Sequence, residues 1–480
     1  MIRRWWLWLA AVAWCLAAAQ ALAHVGSPDI FFEGHAGPNR VLVSIRPPDV
    51  VPGTAQITVR VDRDDIARVT VQPVYFSTGG AGAPRPDEAR RAPGDPRLFS
   101  GELWLMEFGS SSVNVAVEGP AGAGSAIIPV PAIATARRRM SPTLGLLLGG
   151  LGLLLAAGGV AIIGAGVGQS VLAPDESANP TRRFRAAIVM GAAAAAIALA
   201  LYFGNLWWGS VDGDYLRLMF RPVRVNASVE GGSGPPRLRL SLEDPGWTSR
   251  GLSDLIPDHG KLMHMFLIRE PDLDAFAHLH PSRLDDASFD TTLPPITPGR
   301  YRLYADVVHE QGLSETITAT VEVPAGTGDA PSADPDDAWW AGAATPAGAQ
   351  TLADGSVMTW ERPAGQPLRS GELESLRFSV TSPDGGPAAL EPYLGMLGHA
   401  AVTRDDGAVF VHLHPVGTVS MAAQQVFAER VGASTEHEGH AMRSAVAFPY
   451  AFPKPGNYHI WVQVKRGGRI LTGAFVAECK

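Results

Sequence analysis

Two stretches of this chain, residues 143–167 and 186–208, contain no charged side chain, and together they constrain the fold more than any other feature. About 20 consecutive apolar residues cross a bilayer as a helix, so both are expected to be transmembrane helices, and everything else must fold in water on one side or the other. The connecting residues 168–185 carry Arg182, Arg183 and Arg185, which the positive-inside rule places in the cytoplasm, and Trp207-Trp208 closes the second stretch where aromatic residues favour the membrane interface. Arg137, Arg138 and Arg139 would then lie outside, against that rule. The N-terminus decides the matter: Arg3 and Arg4, an apolar run from Trp5 to Leu16 and Ala21-Leu22-Ala23 make residues 1–23 a secretory signal peptide cut after Ala23. Both large flanking regions are therefore expected in the periplasm, anchored in the inner (cytoplasmic) membrane of a bacterium. Gly145, Gly149, Gly152, Gly158 and Gly159 would allow close helix contact. Neither apolar run holds an ionisable residue, which favours an anchor over a transport path.

The flanking regions read as mainly β. Gly 53 and Pro 39 punctuate short aromatic and β-branched runs, a pattern of sandwiches rather than helical bundles. Residues 24–136 alternate apolar and polar positions at Val41 to Ile45, Ala55 to Val61, Val69 to Val71 and Ser112 to Val117, as in a half-buried antiparallel sandwich. A net charge of -8 without a basic groove argues against nucleic acid as a partner. With Cys15 inside the signal, Cys479 is the single thiol of the mature chain and no intrachain disulfide can form.

After the second apolar stretch one domain occurs twice, at residues 212–323 and 352–480, joined by an Ala-, Gly-, Pro- and Asp-rich linker at 324–351. Each copy carries Phe-x-His-Leu-His-Pro, as Phe276-Ala277-His278-Leu279-His280-Pro281 and Phe410-Val411-His412-Leu413-His414-Pro415, and each phrase is preceded by one more histidine, His264 or His399. A Pro-Gly-x-Tyr strand follows in both, at Pro298 and at Pro455. A hairpin turning at Asp406-Gly407, the commonest type I′ signal, places His399 opposite His414; one centred on Asp272 places His264 opposite His280. Opposed residues share a face, as do residues two apart on a strand, so each hairpin presents three imidazoles together.

Cross-strand Cβ atoms lie roughly 5 Å apart, close enough for such imidazoles to hold one ion at metal–nitrogen distances of about 2 Å. The expected ligands are His264, His278 and His280, with His309 or Met263 in addition, in one copy, and His399, His412 and His414 in the other. The second copy has an insertion between His414 and Gly456 that contains His437, His440 and Met442, a set of soft and imidazole ligands suited to copper. A mature amino terminus at His24, with His35 or Asp29, makes a further copper-chelating candidate. The competing reading puts these histidines in the sandwich core beside Phe266, Ile268 and Phe276, with nitrogens bonded to backbone, in a periplasmic assembly or interaction module that holds no metal. Ligands would converge on a common point, whereas structural rings would turn away from one another. No carboxylate stands at a fixed spacing to act as base and no Gly-x-Ser-x-Gly occurs, so an enzyme is not expected.

Residues Leu98-Phe99-Ser100-Gly101-Glu102-Leu103-Trp104-Leu105-Met106-Glu107-Phe108-Gly109 resemble a segment of the FixH-like and YtkA-like periplasmic domains, a group linked to copper handling. The two copies resemble YtkA-like or copper-associated membrane proteins through Asp258-His259-Gly260-Lys261-Leu262-Met263-His264 and Tyr393-Leu394-Gly395-Met396-Leu397-Gly398-His399 with their His-Leu-His-Pro phrases. The resemblance implies three extracytoplasmic immunoglobulin-like or cupredoxin-like β-sandwiches, with two transmembrane helices between the first and second. The resemblance links the chain to copper handling but carries no established activity; the metal-binding reading of the hairpins gives copper as the cofactor, roles in storage, delivery or tolerance, and a cuproenzyme or other membrane protein as partner.

Overall fold

The computed structural model describes residues 29–169, 172, 176–231, 235–244, 247, 254–325, 332, 334–346, 348–362, 366–433 and 443–480. The chain divides into two compact units, Ala134–Phe220 and the rest. The smaller unit is a helix pair, Pro142–Gln169 and Pro180–Leu218, each long and apolar enough to cross a membrane. The second helix starts earlier and ends later than its apolar stretch. Asn179 caps it by accepting from the Arg182 backbone, with Pro180 in the first turn, so Arg182, Arg183 and Arg185 belong to the helix and not to a loop. Its 39 residues span about 58 Å at 1.5 Å per residue, well beyond a hydrocarbon core of about 30 Å. The polar end past Trp208 is tied down, Asp212 pairing with Arg137 at 3.2 Å and the Tyr215 hydroxyl donating to the Ala136 carbonyl. The helices meet at Gly164 and Gly168, where a Cβ on Gly164 would lie 2.3 Å from Met190 Sδ. The glycines at 149, 152, 158 and 159, read as allowing the helices to pack together or onto a partner, take no part in this contact.

In the larger unit, sheets pair across buried cores. The first region sets the strands Ile30–Ala36, Asn39–Arg46, Gly53–Val61 and Leu98–Leu105 against Arg68–Tyr75, Gly109–Gly119 and Gly122–Ala132. Val43, Ile57, Val59, Val71, Val115 and Ile128 fill the space between them, the inward half of each alternating strand. The two copies share one strand order. His264–Arg269 lies between Ala275–Leu279 and Gly299–His309, which in turn pairs with Ser314–Val323; His399–Arg404 likewise lies between Phe410–Leu413 and Gly456–Arg466, which pairs with Arg469–Cys479. The expected register is observed in both hairpins, Phe266 opposite His278 and Ala401 opposite His412. The second turn is not type I′. Only Gly407 has positive φ (71°), and its N–H donates to the Arg404 carbonyl in a wider loop.

Residues 324–351 are less of a linker than their composition implies. Ala338–Ala341 extends the first copy's sheet along Ala275–Leu279, and Thr345–Pro346 pairs with Arg469–Cys479. The insertion of the second copy contains an unanticipated helix, Met421–Val431, capped by Ser420 and ended by Gly432 in the left-handed conformation. Phe427 packs it against Val74 and Ile127 of the first sandwich. The strand Ile30–Ala36 also reaches the second copy: Glu33 N–H donates to the Val416 carbonyl and Thr418 N–H to the Phe31 carbonyl. Gly417 permits that approach, since a Cβ there would lie 2.0 Å from the Phe31 oxygen.

The two hairpins have no solvent face. Met265, Leu267, Ala277 and Leu279 point into the first copy's own core, while Phe266, Ile268 and Phe276 pack with Ala401, Phe410, Trp461 and Ala474 of the second copy. The copies therefore pack through their histidine faces, with reciprocal contacts of a pseudo-twofold arrangement. Tyr304 stacks on Phe410 at 4.0 Å, and its counterpart Trp461 stacks on Phe276 at 4.8 Å.

Candidate metal centre

The spacing of His-Leu-His puts both imidazoles of each phrase on one face and the leucine in the core. Because those faces meet, the histidines of the two hairpins lie in one cluster, in which the expected set of the first hairpin is kept and that of the second has His259 where His412 was expected. His264, His278, His280, His399, His412 and His414 are joined by His259, with neighbouring ring centroids 4.4–6.4 Å apart. Ligand atoms of His264, His278 and His280 lie within 4.8 Å of one another, as do those of His259, His399 and His414.

His259 was not anticipated. It sits in a tight turn in which Asp258 and Lys261 exchange backbone hydrogen bonds, with φ of 54° at His259 and 80° at Gly260. The second copy repeats that turn between Tyr393 and Met396, with Leu394 (φ 50°) and Gly395 (φ 76°) in the central positions. Aligning the two copies at these turns is the signal that sets His259 apart.

Most rings are held from outside by one nitrogen. His280 Nδ1 lies 2.8 Å from the Asp337 carboxylate, whose same oxygen accepts from the His280 backbone. His414 Nδ1 donates to the Val419 carbonyl at 3.1 Å, and His264 Nε2 to the Asp258 carbonyl at 3.1 Å. His278 Nδ1 donates to Gln463 Oε1 at 2.8 Å, while His412 Nδ1 lies 3.4 Å from Asp306. Asp306 and Gln463 stand opposite His264 and His399 on equivalent strands, so each copy supplies a tether to the other copy's middle histidine.

These tethers fix the remaining nitrogens as bare acceptors aimed inward. Tyr393 donates to the Asp336 carbonyl, so its oxygen, 3.3 Å from His278 Nδ1, also accepts from that ring. With its proton on Nδ1, His278 presents a lone pair at Nε2, 3.2 Å from His264 Nδ1, which is likewise bare. Two facing lone pairs repel unless a cation lies between them, and tetrahedral nitrogens about 2.05 Å from an ion stand about 3.3 Å apart. Among the described residues, buried His280 Nε2, His412 Nε2, His414 Nε2 and both nitrogens of His399 have no hydrogen-bond partner. Each such orphan costs about 1–3 kcal/mol if left unmatched. Burial keeps the rings neutral, with His264 lowered to about 4, His414 to about 3, and His278, His280, His399 and His412 well below the usual value. Orientation of each ring by an outer acceptor, with a neutral nitrogen left for an ion, is the arrangement of metal-ligating histidines. A cavity of about 160 Å³ adjoins the cluster, lined by His264, His412, His414, Asp258, Asp306 and, from the first sandwich, Ile30.

His309 does not join the cluster: its Nε2 lies 3.2 Å from Glu315 and its ring packs on the edge of Trp247. Met263 is buried in the first copy's own core. His24, His437, His440 and Met442 lie outside the described residues. Asp29, considered as a partner for His24, is bonded to Arg46 at 2.7 Å.

No curated protein matches the chain. Among solved structures, it is similar to a tetra-tandem repeat in the extending region of a large adhesion protein (10% identity, TM-score 0.16, covering 90% of this chain and 71% of that one). It is also similar to SGBP-B from a xyloglucan utilization locus in Bacteroides uniformis (8% identity, TM-score 0.17, covering 91% and 98%). Residues 225–325 and 350–480, the two copies whose hairpins build the cluster, match the model of a family described as a domain of unknown function, DUF8832.

Proposed function

We propose that this is a membrane-anchored periplasmic protein that holds copper in the histidine cluster between its two repeated domains, for storage, delivery or tolerance, and that it does no catalysis of its own. The observation that carries the reading is the set of inward, unprotonated imidazole nitrogens, with His264, His278, His280 and His414 each fixed from outside by a carboxylate, amide or carbonyl oxygen. Purely structural histidines would pair both nitrogens, yet among the described residues His399 pairs neither. An all-imidazole donor set suits copper, which stands highest among the divalent first-row ions in the Irving–Williams order. Near-complete burial of His264, His278 and His399 suits retention of the ion.

Metal analysis of the full-length protein, purified in detergent and loaded with copper, is expected to find bound copper, and replacing His278 and His399 together by Ala, one ligand from each histidine set, is expected to weaken binding at least 100-fold. A double variant that keeps the parent's affinity by competition titration would remove the cluster as the site. The topology has its own test. Reporter fusions at Ser177 and at Lys480 are expected to give opposite signals, and matching signals would refute a two-span anchor with both large regions outside.

A further inference from the structure

We propose that the cluster takes two ions: one at His264, His278 and His280, the other at His259, His399 and His414, with His412 between them. This rests on the metal reading above and adds its stoichiometry.

A tetrahedral ion accepts four ligands, so one ion cannot absorb seven imidazoles. The two all-histidine sets that lie within ligand distance have no residue in common. An ion at the first set would relieve the facing lone pairs of His264 and His278 and occupy His280 Nε2. Both nitrogens of His399, His412 Nε2 and His414 Nε2 would still be buried without partners. A second cation beside His399 and His414 gives His414 Nε2 and the bare nitrogen of His399 a partner, with His412 Nε2 near it.

His259 is the residue that makes the second set complete. Pseudo-twofold symmetry alone would give the two copies equal shares of the cluster, but the second copy has Leu394 where the first has His259. The ring of His259 lies 5.4 Å from that of His399 and 5.0 Å from that of His414, so the first copy donates a third imidazole across the interface. His412 is 4.4 Å from His414, 5.3 Å from His264 and 5.4 Å from His399, between the sets and available to either ion as a fourth ligand. The remaining group of His280, Asp334 and Asp337 is explained without an ion, because Asp337 orients His280 and Asp334 pairs with Lys261.

The test is a count of copper per chain in the full-length protein, loaded with excess copper and desalted, for the parent and for His259→Leu. Leucine already occupies the equivalent turn position in the same left-handed conformation, so this variant preserves the fold, which its melting curve checks. The expected result is two ions in the parent and one in the variant. One ion in the parent overturns the two-ion assignment while leaving the metal reading intact. A variant that still holds two overturns the role of His259, and one that folds like the parent but holds none overturns the independence of the first set. A parent that holds no copper overturns the metal reading itself.

Discussion

The metal-free protein is expected to lose most of its stability as pH falls from about 6.5 to about 4, and saturating copper is expected to oppose that loss. The sign follows from the direction of the shifts. His264 is lowered in the folded state from 6.5 to about 4 and His414 to about 3, mainly by burial, so in this window the unfolded chain binds protons that the folded chain refuses. Stability is fully present above 6.5 and drains away as pH falls towards the folded values. For His264 alone the linkage is on the order of 3 kcal/mol, and His278, His280, His399 and His412 are shifted in the same direction. Two carboxyls act oppositely. Burial raises Asp306 to about 7 and Asp337 to about 6, so protonating them stabilises the fold as pH falls. They offset part of the histidine contribution, but six rings outweigh two carboxyls against a total stability typically about 5–15 kcal/mol. Melting temperature measured from pH 7.5 to 4.5 without metal should fall steeply; a flat profile would contradict the buried neutral cluster. Copper at 1,000 times its dissociation constant should add about 4 kcal/mol. Unperturbed imidazoles would release copper between roughly pH 6 and 5. Release here is expected lower, together with unfolding, because burial holds protons off the rings.

Much of each hairpin was legible in the sequence, and its destination was not. Turn residues and the alternation of His-Leu-His are local, and they gave the pairing of His278 with Phe266 and of His412 with Ala401. Which face a strand buries against what is not local. Phe266, Ile268 and Phe276 read as sandwich core because both faces of these strands are apolar, and a strand buried on both sides loses the alternation that marks inside from outside. The second face turned out to be the other copy. His259 lies outside the hairpins, on a turn whose importance emerges when Asp258-His259-Gly260-Lys261 is set beside Tyr393-Leu394-Gly395-Met396. The helix Met421–Val431 carries readable signals, Ser420 before it and Gly432 after it, although the His/Met run beyond it is the insertion's more prominent feature.

Trp461→Ala is expected to empty the centre without removing a ligand. Trp461 is fully buried, lies flat on Phe276 with 7° between the rings, and packs in the cluster of apolar residues that joins the two copies. Truncating a buried tryptophan costs about 3–5 kcal/mol, as lost burial plus an unfilled cavity. Here the cavity would open at the interface itself. His278 from one copy is tethered by Gln463 from the other, and His259 must cross to meet His399 and His414, so loosening that contact frees a ligand of the first set from its tether and separates the donors of the second, which only the packed interface brings together. Trp360→Ala supplies the comparison, because Trp360 is also buried but sits in the second copy's own core, against Phe378 and Phe475. Both variants should melt at lower temperature by similar amounts. Copper per chain, measured at a temperature where both remain folded, should fall sharply in Trp461→Ala and stay near the parent value in Trp360→Ala. Equal copper content in the two variants would mean that the ion is held by each hairpin separately and that the packing of the repeats plays no part in building the site.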